Sequence, residues 1–167
     1  MVKRIPPPLE KGGRGDFTDV NKLLLQKIFE ESCRCYPEEA CGFVLGKGGE
    51  ASEVIPVKNI QNELHAKDPK RYPRDAKIAY TIDPREMDQI QKKVASSGQT
   101  IVSIFHSHPE HGVYFSEEDK GMAAPWGEPL FPELSYLVVS VYAGEVKNAS
   151  EFYWDKNKKD FTERKII

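Results

Sequence analysis

Three cysteines in 167 residues are too few, and odd in number, for a disulfide framework. Cys33, Cys35 and Cys41 are expected to be free thiols of a reducing, cytoplasmic protein. No Cys-x-x-Cys pair occurs, which removes the usual structural zinc modules. Cys33-Arg-Cys35 reads as two thiols near a helix end. No apolar run approaches the ~20 residues needed to cross a bilayer, and the first residues lack the apolar core of a signal peptide. Neither a membrane span nor export is expected, and the glycosylation-type triplet Asn148-Ala-Ser150 is discounted. Charge of one sign is also missing. Lys and Arg number 24, Asp and Glu 26, for a net charge of −2. No overall field therefore recruits nucleic acid or an anionic membrane. No Gly-x-Ser-x-Gly occurs, so an activated serine nucleophile is not expected. No repeat or low-complexity segment divides the chain.

The remaining composition is that of a globular protein, 39% hydrophobic and 30% charged. The length suits one domain with a buried core. Residues 1–17, with their prolines and glycines, read as a flexible tail or as an arm that docks on a partner. The domain is expected over 18–167. A helix capped by Thr18 or Asp19 should run to about Cys35, with Val20, Leu23, Leu24 and Ile28 inward. Two strands, Ala40 to Leu45 and Ser52 to Lys58, flank the hairpin turn Lys47-Gly-Gly-Glu50. Gly42 and Gly46 mark close backbone approach or a bend. Asn59 to Lys77 is polar, lacks a clear period and reads as a long loop. Ile78 to Ile82 reads as a strand. Asp83-Pro84 opens a helix with an apolar stripe at Met87, Ile90, Gln91 and Val94, stopped by Gly98. Ile101 to Phe105 reads as a buried strand. Tyr136 to Tyr142 and Ser150 to Trp154 read as paired strands, and Phe161 to Ile167 as a last strand or a tail.

The chemistry is concentrated between His106 and Asp119. Alternate residues of a strand share a face, so His106 and His108 project together at the end of the 101–105 strand. Pro109 cannot donate to a ladder and marks a stop. Ser116, followed by Glu117, Glu118 and Asp119, has the form of a helix N-cap with an acidic first turn. Asp119 then faces back toward the histidines. Two imidazoles and one carboxylate leave a fourth tetrahedral position for water, the pattern of a catalytic zinc site. Such water has a pKa near ~7. His65 and His111 are the remaining imidazoles, and both are expected outside the site.

His106-x-His108-Pro109-x6-Ser116-x2-Asp119 resembles the JAMM signature of the MPN-type metalloproteases at every defined position. Pro37-Glu38-Glu39-Ala40-Cys41-Gly42, followed by an apolar strand, is similar to the segment that carries the catalytic glutamate in prokaryotic members. The resemblance runs from about Asp19 to the C-terminal end. It implies an α/β MPN fold, similar to that of cytidine deaminases, with a mixed, curved sheet flanked by helices. It implies one Zn²⁺ held by His106, His108 and Asp119, with Glu39 as general base and Glu38 as the alternative by one position. Ser116 is implied as the oxyanion donor, a role that can coexist with capping. The implied reaction is hydrolysis of the amide bond after the C-terminal Gly-Gly of a ubiquitin-like or sulfur-carrier protein. Residues 59–77 correspond to a first insertion beside the site, which can hold the substrate tail as an added strand. Lys120 to Ser135 corresponds to a second insertion. It contains no Cys or His, so no second zinc is expected there. Trp126 and Phe131 within it either cradle a peptide or fill the core. An inactive MPN scaffold is the competing expectation, and the oligomeric state is left open.

Overall fold

The computed structural model describes residues 22–167. The expected tail at 1–17 and the expected helix start at Thr18 or Asp19 lie outside the described residues. The first described element is helix α1, Lys22–Cys35, whose inward stripe is Leu24, Ile28 and Ser32 rather than Leu23. Strands β1, Cys41–Lys47, and β2, Glu50–Val57, form the expected hairpin, with Gly48 and Gly49 at positive φ in its turn. A short helix α2, Gln61–Lys67, follows. Helix α3, Pro84–Ser97, is capped by Asp83, whose side chain accepts from the Arg85 N–H, and closes on Gly98 at φ 69°. Strand β3, Thr100–Pro109, leads to helix α4, Glu117–Ala123. Strands β4, Ser135–Tyr142, β5, Glu145–Asp155, and β6, Asp160–Lys165, complete the chain.

The six strands form one sheet in the order β2-β1-β3-β4-β5-β6. β3 and β4 are parallel and every other neighbouring pair is antiparallel. Period-2 alternation splits the apolar residues between two faces. On one face Phe43, Leu45, Ile104, Tyr136, Val138 and Phe152 pack with Ile90 and Val94 of α3. On the other, Val44, Phe105, Leu137, Val139 and Val141 pack with Leu24 and Ile28 of α1. Phe43 and Phe105 are fully buried, one on each face. Burying each contributes about 1.5–3 kcal/mol.

Two expectations are corrected. Asn59 to Lys77 is not a plain loop, because α2 lies inside it. Ile78 to Ile82 is not a strand: only an isolated bridge joins Ile82 to Asn59. The cause is one side chain. The Asn59 amide donates to the carbonyls of Glu39 (3.0 Å) and Ala79 (3.1 Å), and its oxygen accepts from the N–H groups of Gln61 (3.0 Å) and Thr81 (3.1 Å). Backbone groups that a ladder would use are thus taken by a side-chain amide. Trp126 and Phe131 also part company. Phe131 packs against the core, whereas Trp126 is exposed.

Gly42 lies between β2 and the Phe105 ring. A Cβ there would come within 2.5 Å of both the Ile55 carbonyl oxygen and the Phe105 ring. Gly42→Ala should therefore destabilise the fold by about 1–3 kcal/mol, as overpacking does in a dense core. Urea unfolding reads this as a lower midpoint. An unchanged midpoint would mean that β1 and β2 separate at no cost.

Candidate metal centre

β3 carries both histidines on the sheet face that packs toward α3. In the ladder Cys41 pairs with His106, and on the other side His106 pairs with Val138 and His108 with Ser140. The strand extends through the two histidines to Pro109, so each imidazole is set by regular backbone. Both are buried. Their Nε2 atoms lie 3.1 Å apart.

Asp119 stands on the first turn of α4. Ser116 builds a capping box with it. The Ser116 hydroxyl accepts from the Asp119 N–H (3.0 Å) and donates to Asp119 Oδ2 (2.5 Å), and the Ser116 N–H also donates to Oδ2 (3.0 Å). This locks the carboxylate toward β3, with Oδ2 3.9 Å from His106 Nε2. One donor atom from each of His106, His108 and Asp119 lies within 4.8 Å of the others.

The donor set fits a zinc ion. His108 Nδ1 stands 3.0 Å from the Gly112 carbonyl, which can only accept, so Nδ1 carries the proton. His108 Nε2 is then a bare lone pair aimed at His106. This is the outer hydrogen bond that orients metal-ligating histidines. Zn–N bonds of 2.0–2.1 Å at tetrahedral angles put two ligand nitrogens about 3.3 Å apart, close to the 3.1 Å separation here. Burial, opposed by Asp119 and helped by His108, lowers the His106 pKa to about 4. Burial also lowers that of His108, against the Gly112 carbonyl and Asp119. Both rings are neutral at neutral pH, the state that binds a cation. His106 and Asp119 therefore do not form an ion pair in the metal-free protein. His106 Nδ1 is buried without a hydrogen-bond partner, and the ring instead stacks on Tyr80, with centroids 4.8 Å apart.

Glu39 stands just before β1. The Ala40 N–H donates to Ser107 Oγ (2.8 Å) and the Ala40 carbonyl accepts from the Ser107 N–H (3.0 Å). This continues the β1–β3 register by one step. One further step sets Glu39 opposite His108, on the histidine face. Its backbone is held on both sides, by the Ala76 carbonyl (2.7 Å) and the Asn59 amide. The Glu39 carboxyl is buried. That burial, then the charge of Asp119, pushes its pKa to about 8, against the pull of Arg74. Glu38 differs: its carboxylate accepts from the Asn62 side chain of α2 (2.6 Å).

Several neighbours of the site carried no signal of their own in the sequence. Tyr80 was hidden in the supposed strand at 78–82. Tyr114 packs on His108, with ring centroids 4.5 Å apart. Arg74 forms an ion pair with Glu118, the neighbour of Asp119 in the first turn of α4, and its charge acts on Glu39 and Asp119. These contacts join residues 26, 6 and 44 positions apart and have no fixed spacing to search for. His65 is bound through Nδ1 to the Tyr72 carbonyl (2.6 Å), and His111 is exposed, so neither joins the group.

Comparison with known proteins agrees with this architecture. The model of a family described as prokaryotic homologs of the JAB domain matches residues 21–155. A desampylase of Haloferax volcanii is 30% identical over 124 residues, covering 73% of this chain and 76% of that protein. A solution structure from Desulfitobacterium hafniense superposes with a TM-score of 0.62 at 25% identity, covering 88% of this chain and 89% of the other. One from Salinibacter ruber gives 0.53 at 26% identity, covering 87% of each. With the family match spanning every residue of the site, the chain belongs to the prokaryotic branch of the JAB (MPN) domain family.

Proposed function

We propose that this protein is a zinc-dependent peptidase that hydrolyses the amide bond after the C-terminal Gly-Gly of a ubiquitin-like or sulfur-carrier protein. The observation that carries the reading is the convergence of His106, His108 and Asp119 beside a buried Glu39. The desampylase relative supports a hydrolase acting on conjugates of ubiquitin-like proteins. Gly-Gly suits a narrow approach because it has no side chains to clash. The domain is taken as one unit from residue 18 onward. No helix among the described residues is long and apolar enough to cross a membrane, and the free thiols Cys33, Cys35 and Cys41 support placement in the cytoplasm.

His106 and His108, through Nε2, and the Asp119 carboxylate would hold the metal. A zinc ion there supplies a Lewis acid that acidifies water and polarises a carbonyl oxygen. The Glu39 carboxylate takes the proton of the attacking water and passes it to the leaving amine. Burial holds this carboxyl at about 8 in the metal-free protein, and a cation bound beside it would favour the ionised form that accepts the proton. The Ser116 backbone N–H keeps Asp119 in place while the hydroxyl turns to the oxyanion that develops on the scissile carbonyl. Tyr80 and Tyr114 brace the two imidazoles and exclude water from their faces.

Glu39→Gln should lower turnover of a ubiquitin-like fusion about 10²–10⁴-fold while zinc content stays at the wild-type level. Gel or mass-spectrometric cleavage assays with metal analysis check this, and undiminished turnover with bound zinc removes Glu39 as the base. Chelation should abolish cleavage and added Zn²⁺ should restore it. Activity that survives complete metal removal would refute the zinc requirement.

The buried glutamate also has a stability signature in the metal-free protein. Its carboxyl ionises near 4.5 when unfolded and near about 8 when folded. The folded state therefore binds more protons between those values, and stability falls as pH rises across that window. Glu39→Gln removes the ionisable group. The variant should melt above the wild type at about pH 8.5, and the gap should vanish below about pH 4. A gap of equal size at both pH values would mean that Glu39 is not held neutral.

A further inference from the structure

The hydrogen bond that sets the tautomer of His108 depends on where the Gly112 carbonyl sits. Gly112 belongs to the connection between β3 and α4. It is tied down from β4. Ser140, fully buried and paired with His108 in the parallel ladder, lies on the same sheet face as the histidine. Its hydroxyl does not bond within the sheet. It donates to the carbonyl of His111 at 2.6 Å, one residue before Gly112. Glu110, at φ 58°, makes the second tie. Its N–H donates to the Val141 carbonyl (2.8 Å), and its carboxylate accepts from the Ala143 N–H (2.8 Å) and the Tyr36 hydroxyl (2.7 Å). Residues 110, 111 and 112 thus bond in turn to the end of β4, to Ser140 and to His108.

We propose that Ser140 is a positioning residue for the metal centre: through the His111 carbonyl it holds the 110–112 connection so that the Gly112 carbonyl keeps the His108 proton on Nδ1 and leaves Nε2 free to bind. The Glu110–Tyr36 contact holds the same connection from its outer side. A buried hydroxyl facing a ligand from the neighbouring strand, but bonded to the loop beyond that ligand, has no comparable role in the sheet itself. Ser103 is the contrast. It is equally buried on β3, and its hydroxyl bonds to the Ser135 carbonyl at 3.1 Å, with no link to the 110–112 connection.

The inference rests on His108 being a ligand, and two readouts separate its failure from the failure of that reading. The first is Zn²⁺ affinity, measured by competition with a chelating dye. Outer hydrogen-bond partners of metal ligands typically alter affinity 10–100-fold, and Ser140→Ala, acting one bond farther out, should weaken binding about tenfold. The second is the tautomer of His108 in the metal-free protein, read from ring ¹⁵N chemical shifts. It should be Nδ1–H in the wild type and mixed in Ser140→Ala. Ser103→Ala should leave both readouts at the wild-type value. Tyr36→Phe, which removes only the hydroxyl and keeps the ring packed on the core, should shift both in the same direction by a smaller factor, and it carries the test if Ser140→Ala does not fold. Wild-type affinity and an unmixed tautomer in the folded variant overturn the proposal. If the wild type takes up no zinc, the metal reading fails, and the ring shifts alone decide the positioning role.

Discussion

The pairing of β1 with β3 is the constraint on which the site depends. Once Cys41 sits opposite His106, the two-residue period of a strand places His106 and His108 on one face and puts Glu39 across from them. The double bond between Ala40 and Ser107 extends that register past the formal end of β1. A slip by one residue would exchange the faces, turning Glu38 inward and Glu39 out. Gly42 and Phe105 guard against the slip from within, because the glycine leaves only enough room for the ring.

A buried, metal-free cluster of this kind is a compromise. Two neutral imidazoles, a carboxylate and a second, protonated carboxyl are held close in a medium that opposes charge. Such a group costs stability, and the surroundings offset the cost with fixed hydrogen bonds and with the nearby charge of Arg74. The capping box orients Asp119, the Gly112 carbonyl orients His108, and Tyr80 covers His106. Each acts on a single ring or carboxylate, so the arrangement is set before any cation arrives.

The segment between β2 and α3 shows how a polar stretch can be ordered without a ladder. Asn59, Gln61 and Asn62 use side-chain amides to hold backbone groups of residues 74–81. This wraps the segment over Glu39 and brings Tyr80 to His106 and Arg74 to Glu118. Periodicity carries no trace of such wrapping. The β-branched and aromatic residues at 78–82 suggest a strand, and their partners are amides some twenty positions upstream. Helix α2 was equally hidden, since seven mostly polar residues are too short to show a stripe.

Local rules of chain geometry settled much from the primary structure alone. The spacing of His106 and His108, the capping pattern of Ser116 and Asp119, the Asp83-Pro84 start and Gly98 stop of α3, and the glycines of the first hairpin all act within a few residues, where strand and helix periods are obligatory. Tertiary packing decided the rest. Which of two adjacent glutamates faces the two histidines, where Trp126 and Phe131 go, and what holds the His108 proton depend on strand register and on side chains meeting across tens of residues. Those contacts are selected by burial and by the satisfaction of buried polar groups, which only the assembled fold imposes.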